Sequence, residues 1–168
     1  MQSVEIRIEH ELHCSQERAF KTPMLCDVLK VHSGYLFMPR ALSVSNDSSW
    51  GQAGGSKLIF FDKIMAAPVG LTLLDQVVDR IENRYWKIEV SNPKGRLLFF
   101  EKLIGEWKVH PLGKDRNLII YRYFLVVKYA SLKPLAWIFA HVFWKKYMQK
   151  VMKNIEFLAK TKEPYLYP

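Results

Sequence analysis

The stretch 133-KPLAWIFAHVFWKKYMQKVMKNIEFLAK-160 decides how the rest of the chain is read. Trp137, His141, Trp144, Met148, Val151, Ile155 and Leu158 recur at alternating spacings of four and three. That rhythm lays one apolar stripe along a single long helix. Pro134 falls in the first turn, where a missing N–H costs nothing. The helix is expected to end near Lys160, ahead of Pro164.

Upstream of this helix the dominant period is two. Val4, Ile6, Ile8, His10 and Leu12 alternate with Glu5, Arg7, Glu9, Glu11 and His13, which reads as a half-buried antiparallel strand with one charged face. Ser15 is placed to cap a helix and Glu17 suits its first turn. Pro23 is expected to divide the helical segment into two short pieces over 16–21 and 24–32, with Gly34 ending the second. Six further strands are expected at 40–46, 57–63, 71–80, 84–91, 97–110 and 118–129. Turn residues such as Gly54-Gly55, Glu82-Asn83 and Asn92-Pro93-Lys94-Gly95 separate them. Short connections imply an antiparallel meander. The predicted class is α+β, in the order β-α-α-β6-α. A curved antiparallel sheet of six to seven strands grips the long C-terminal helix.

The chain has 168 residues, 49% of them hydrophobic and 14% aromatic, enough for one well-filled core. One domain is expected over 1–168, with its core at 4–160 and a tail at 161–168. Two cysteines, Cys14 and Cys26, are too few for a disulfide scaffold or a four-cysteine zinc module, and read as small buried hydrophobes. A reducing, cytoplasmic setting is the corresponding expectation. No apolar run approaches 18 residues, so no membrane span is expected. The net charge is +9. From Lys128 onward eight lysines face only Glu156 and Glu163, a local balance of +6. Such asymmetry points to an anionic surface, with a solvated lysine face as the plain alternative.

Several chemical motifs fail on inspection. In a strand, His10 and His13 point to opposite faces and cannot share a metal ion. The glycine-rich 51–57 segment lacks phosphate-loop spacing and leads into a strand rather than a helix. No nucleophile elbow or dinucleotide fingerprint is present. No metal and no cofactor is expected.

Four local features accompany the element order. They are Ser15-Gln16-Glu17-Arg18-Ala19-Phe20 after the first strand, Gly54-Gly55-Ser56-Lys57 opening another, Gly105-Glu106-Trp107-Lys108-Val109-His110-Pro111 before a turn and a strand, and the terminal helix. Together they resemble the SRPBCC group: START-related lipid-transfer domains, birch-pollen-allergen-like proteins and polyketide cyclases. The likeness covers residues 4 to about 160. Arg116-Asn117 stands where that group usually has Gly-Thr. The resemblance implies a helix-grip fold with a cavity between sheet and helix. It leaves function open, because the group holds carriers, enzymes and co-chaperones.

In such a fold one face of each strand lines the cavity. The inward set expected from the strand over 97–110 includes Phe99, Glu101, Leu103 and Trp107, and from that over 118–129 Tyr121, Tyr123 and Leu125. His10 joins from the first strand, and Trp137, His141 and Trp144 from the helix. One β-bulge would invert a strand's assignment. On the helix's outer side Leu135, Phe139 and Phe143 lie beside Lys145 and Lys146, the composition of an interfacial helix.

The leading expectation is non-catalytic binding or transport of an apolar small molecule: a lipid, an isoprenoid or an aromatic polycycle. Two alternatives stay open. One is a polyketide cyclase/aromatase-like enzyme using Glu101 with a tyrosine or histidine as its acid/base pair. The other is a ribosome- or protein-interaction module. The expected partner is a hydrophobic ligand, with an anionic membrane surface and a homodimer as further outcomes. Nucleic acid is not expected, because the lysines interleave with a large apolar face.

Overall fold

A computed structural model of the chain describes residues 2–45, 47–62, 70–93 and 100–167. Strand β1 (Gln2–Leu12) is followed by the helices α1 (Gln16–Leu25) and α2 (Val28–Val31). Then come β2 (Ser33–Tyr35), β3 (Met38–Val44), β4 (Ser56–Phe61), β5 (Thr72–Ile81), β6 (Tyr85–Ser91), β7 (Phe100–Gly113) and β8 (Arg116–Val127). The final helical stretch has three parts: α3 (Lys133–Ile138), a π-helical segment (Phe139–Trp144) and α4 (Lys145–Lys160).

Among the described residues the strands form one sheet in the order β1-β8-β7-β6-β5-β4-β3-β2. β2 to β8 make an antiparallel meander, and β1 closes on β8 from Gln2↔Val127 to Leu12↔Asn117. The α+β helix-grip class read from the sequence is the observed one, with eight strands in place of six to seven. The additional strand is β2. Gly34 does not end a helix; it takes φ +76° inside a hairpin that pairs Ser33 with Arg40 and Tyr35 with Met38.

Pro23 does not divide the first helix either. α1 continues through it to Leu25. A proline cannot donate to the carbonyl four residues back, and here that carbonyl, on Ala19, accepts from the Trp107 indole Nε1 at 3.2 Å. The chain turns later, where the Asp27 carboxylate accepts from the Leu29 backbone N–H at 2.9 Å and caps α2.

Met148, Val151, Ile155 and Leu158 of α4 are buried, as the stripe predicts. N-terminal to Trp144 the stripe loses register. An α-helix returns to the same face after about four residues, whereas a π turn takes one more. Across Phe139–Trp144 the phase therefore slips, and Ala136 and Ala140 are buried in place of Trp137 and His141. Trp137 stays 54% exposed, its ring stacked on His141 at 4.3 Å.

The segment after α4 is tied to α1 and α2. Leu166 N donates to Leu25 O at 2.8 Å, the Arg18 guanidinium lies 4.5 Å over the Tyr165 ring, and Lys30 pairs with Glu163. Among the described residues no helix is long and apolar enough to cross a membrane.

Candidate ligand cavity

Between the curled sheet and the helices that cover it lies a cavity of about 620 Å³. Ile59 and Phe61 of β4, Leu73 of β5 and Trp86, Ile88 and Val90 of β6 wall it on one side, each set sharing one face of its strand. Met24 of α1, Val28 and Val31 of α2, and Met148, Val151 and Ile155 of α4 wall the other. A run of aromatic contacts backs this space, with Trp107 packed behind the lining residues. Trp86 and Trp107 stack at 5.4 Å with 6° between their planes, and Tyr121 meets both edge-on at 5.6 and 5.0 Å. Tyr123 continues the run, 4.8 Å from Tyr121 and 5.4 Å from Trp144. Gly105 makes room for it, since a Cβ there would stand 3.0 Å from the Tyr121 hydroxyl oxygen and 3.2 Å from Ile88 Cγ1.

Two charged side chains face this apolar space from neighbouring strands. Lys57 and Asp75 are direct cross-strand partners, only 3% and 9% exposed. Strand parity puts them there, Lys57 on the face of Ile59 and Phe61 and Asp75 on that of Leu73 and Val77. Among the described residues no carboxylate lies within 4.0 Å of Lys57 Nζ, and Asp75 makes no side-chain hydrogen bond. The Lys57 ammonium sits instead 3.9 Å from the centre of the Trp50 ring, with the Tyr167 ring at 5.5 Å. Trp50 is fixed in turn by its Nε1, which donates to Met24 O at 2.7 Å.

Burial governs the electrostatics. It pushes the Lys57 ammonium down to about 8, against the opposing charge of Asp75. It pushes the Asp75 carboxyl up to about 6, against that of Lys57. His32 shares a 2.7 Å hydrogen bond between its Nδ1 and the Tyr147 hydroxyl. Burial, and then the Lys57 charge, hold its imidazole down to about 4, so it is neutral at neutral pH. Burial also lifts the Tyr121, Tyr123 and Tyr147 hydroxyls above their ordinary range, which keeps all three protonated. The cavity thus offers apolar walls, neutral polar groups and one pair of opposite charges.

The residues expected from the sequence are distributed unevenly. Leu103, Tyr121, Tyr123 and Trp144 line the cavity. Trp107 and Leu125 do not; both are fully buried in packed core. Glu101 is exposed, because β7 is irregular between Phe100 and Lys102 and Phe100 takes the inward place. His10 is bonded to Glu156 Oε2 at 2.9 Å, away from the cavity. Trp137 and His141 are turned out by the π-helical slip. Phe99 lies outside the described residues. The same slip carries Phe139, assigned to the outer face, onto the cavity wall. Phe143 is half-buried against Phe37 at 4.7 Å, Leu135 and Lys146 are exposed, and Lys145 is half-buried. The acid/base pair of Glu101 with a tyrosine or histidine is therefore not assembled. Cys14 and Cys26 are free thiols, and burial pushes both up, Cys14 to about 11.

Sequence reasoning missed Lys57, Asp75, His32, Trp86 and Tyr147. The signal for the first two was the alternation itself, which gives each charge the parity of its apolar neighbours.

No family model matches the sequence, and no curated protein matches it. Solved structures do. Ara h 8.0201 is similar with a TM-score of 0.68 at 15% identity, over 95% of this chain and 99% of that one. The Zhui aromatase/cyclase from Streptomyces sp. R1128 gives 0.66 at 12%, over 95% and 94%. A START superfamily protein from Mycobacterium smegmatis gives 0.63 at 14%, over 94% and 97%. These matches span nearly the whole of both chains, and the chain shares the helix-grip fold of these structures.

Proposed function

We propose that this protein binds and carries an apolar small molecule inside its cavity. The observation that carries the reading is a cavity of about 620 Å³ walled mainly by aliphatic and aromatic side chains, within the usual size range of small-molecule sites. Burying about 300 Å² of apolar ligand surface gives on the order of 7 kcal/mol gross at roughly 25 cal/mol/Å². A gross term of that size corresponds to a Kd of about 10 μM, and ordering costs weaken it further. A lipid tail, an isoprenoid or an aromatic polycycle meets this chemistry. The cyclase alternative loses its proposed pair, since Glu101 is exposed. Native mass spectrometry of protein purified without detergent tests the proposal. A retained small molecule, or stoichiometric uptake of an added hydrophobic probe, is expected. Protein that is empty and takes up no probe would overturn it.

A second observation extends the reading to a membrane. Leu135, Trp137, Ile138 and Val142 are 42% to 54% exposed on a helical stretch whose Phe139 and Trp144 line the cavity. Lys128, Lys133, Lys145, Lys146, Lys150 and Lys153 belong to the same region and make no ion pair among the described residues. No Asp or Glu occurs from Arg116 to Ile155. Exposed apolar side chains flanked by unneutralised lysines suit the boundary of an anionic bilayer. Docking there would place the cavity beside a source of apolar cargo.

A further inference from the structure

We infer that the ligand is uncharged and carries a hydroxyl group, an alcohol or a phenol on an apolar body, lodged between Lys57 and Asp75. The inference rests on the cavity being a ligand site. It begins from an anomaly: a lysine and an aspartate are buried on adjacent strands, face the same space, and do not meet within ion-pairing distance. An ammonium only donates hydrogen bonds and an ionised carboxylate only accepts them. Among the described residues Lys57 has the Trp50 face on one side and lacks an oxygen acceptor; Asp75 lacks a donor. A group that satisfies both must accept from one and donate to the other. A hydroxyl is the smallest that does so.

The charge balance points the same way. With the ammonium pushed down to about 8 and the carboxyl up to about 6, both are ionised at pH 7 and cancel. His32 is neutral and the three cavity tyrosines are protonated. A carboxylate ligand would add an uncompensated buried charge beside Asp75, and an amine would add one beside Lys57. A pure hydrocarbon would leave both residues dry and unbonded. The hydroxyl avoids each cost, while the remaining walls take the apolar body.

The test is calorimetric titration of the full chain at pH 7 with three probes of one shape: 2-naphthol, 2-methylnaphthalene and 2-naphthoate. For the unaltered protein, 2-naphthol should bind about tenfold or more tightly than either of the others. In Lys57→Met and in Asp75→Asn that preference should shrink to within about threefold, with the hydrocarbon little changed. Either substitution sits at a buried site and can unfold the chain, so the ranking on unaltered protein decides alone. If 2-methylnaphthalene binds as well as 2-naphthol, the hydroxyl inference is wrong and the carrier reading stands. If 2-naphthoate binds best, the site takes anions and the inference is again wrong. If none of the three binds, the carrier reading falls and the inference with it.

Discussion

Trp107 joins two layers of the molecule through one side chain. Its indole N–H reaches the Ala19 carbonyl that Pro23 leaves without a helical donor, and its ring stacks on Trp86 beneath Tyr121. Trp107→Ala removes a fully buried ring and strands that carbonyl. The cost should be about 3–5 kcal/mol, seen as a lower denaturation midpoint. Ligand affinity lost without any loss of stability would contradict this placement. His32 gives a pH prediction. Its folded imidazole titrates at about 4 against an ordinary 6.5, so on acidification the unfolded chain takes up the proton first. Stability present above 6.5 is therefore lost between 6.5 and 4. Asp75 works the other way: its carboxyl is raised from 3.8 to about 6, and the stability it withholds at neutral pH returns on acidification. His32→Gln removes the first effect and keeps the second. Between about pH 7 and about pH 4.5 the variant should lose several degrees less of its melting temperature than the parent protein, and equal losses would refute the enclosed neutral histidine. Tyr121, Tyr123 and Trp144 were legible in the sequence because apolar alternation and helical spacing mark them. Lys57 and Asp75 obey the same alternation, but a charge at an inward position is ordinarily read as facing water.

At the scale of elements, the periods carried most of the information. Period two located β1 and β3 to β8 within a few residues, and the four-three rhythm placed α4 and its buried face. The errors arose where a single residue breaks a period. The irregularity at Phe100–Lys102 turned Glu101 to solvent, and the π segment moved Trp137 and His141 outward while bringing Phe139 inward. Neither has a composition signal, since a bulge and a wide turn are stabilised by tertiary packing rather than by local preference. α4 itself supports a sharp prediction. Ile155 is 1% exposed and touches the cavity. Ile155→Asp should destabilise by about 3–5 kcal/mol, because an unpaired charge replaces buried surface. Gln149→Asp, at an exposed site on the same helix, should stay within about 0.5 kcal/mol. Similar melting curves for the two variants would show the helix face to be wrongly assigned.

For the whole molecule, charge and exposed apolar surface coincide on the stretch from α3 to the start of α4. Co-sedimentation with vesicles containing phosphatidylserine is expected at low ionic strength, and little with phosphatidylcholine alone. Binding should weaken as salt shortens the reach of the lysines, about 10 Å at 0.1 M and about 3 Å at 1 M. Trp137→Ser together with Lys146→Glu should abolish it without lowering stability, as both side chains are exposed. Equal, negligible binding to both vesicle types would leave a protein that does not dock. The closure of the sheet has a consequence of another kind, in time. β1 pairs with β8, yet the two are separated by about a hundred residues of chain, so at roughly 5–20 residues per second β1 emerges some 5–20 s before its partner exists. During that interval β1, which carries Val4, Ile6, Ile8 and Leu12 on its apolar face, lacks the strand it pairs with. The opposite face carries Glu5, Arg7, Glu9 and Glu11, and such charges oppose pairing between growing chains. The solvent face of β1 in the finished protein is also what lets the unfinished one wait.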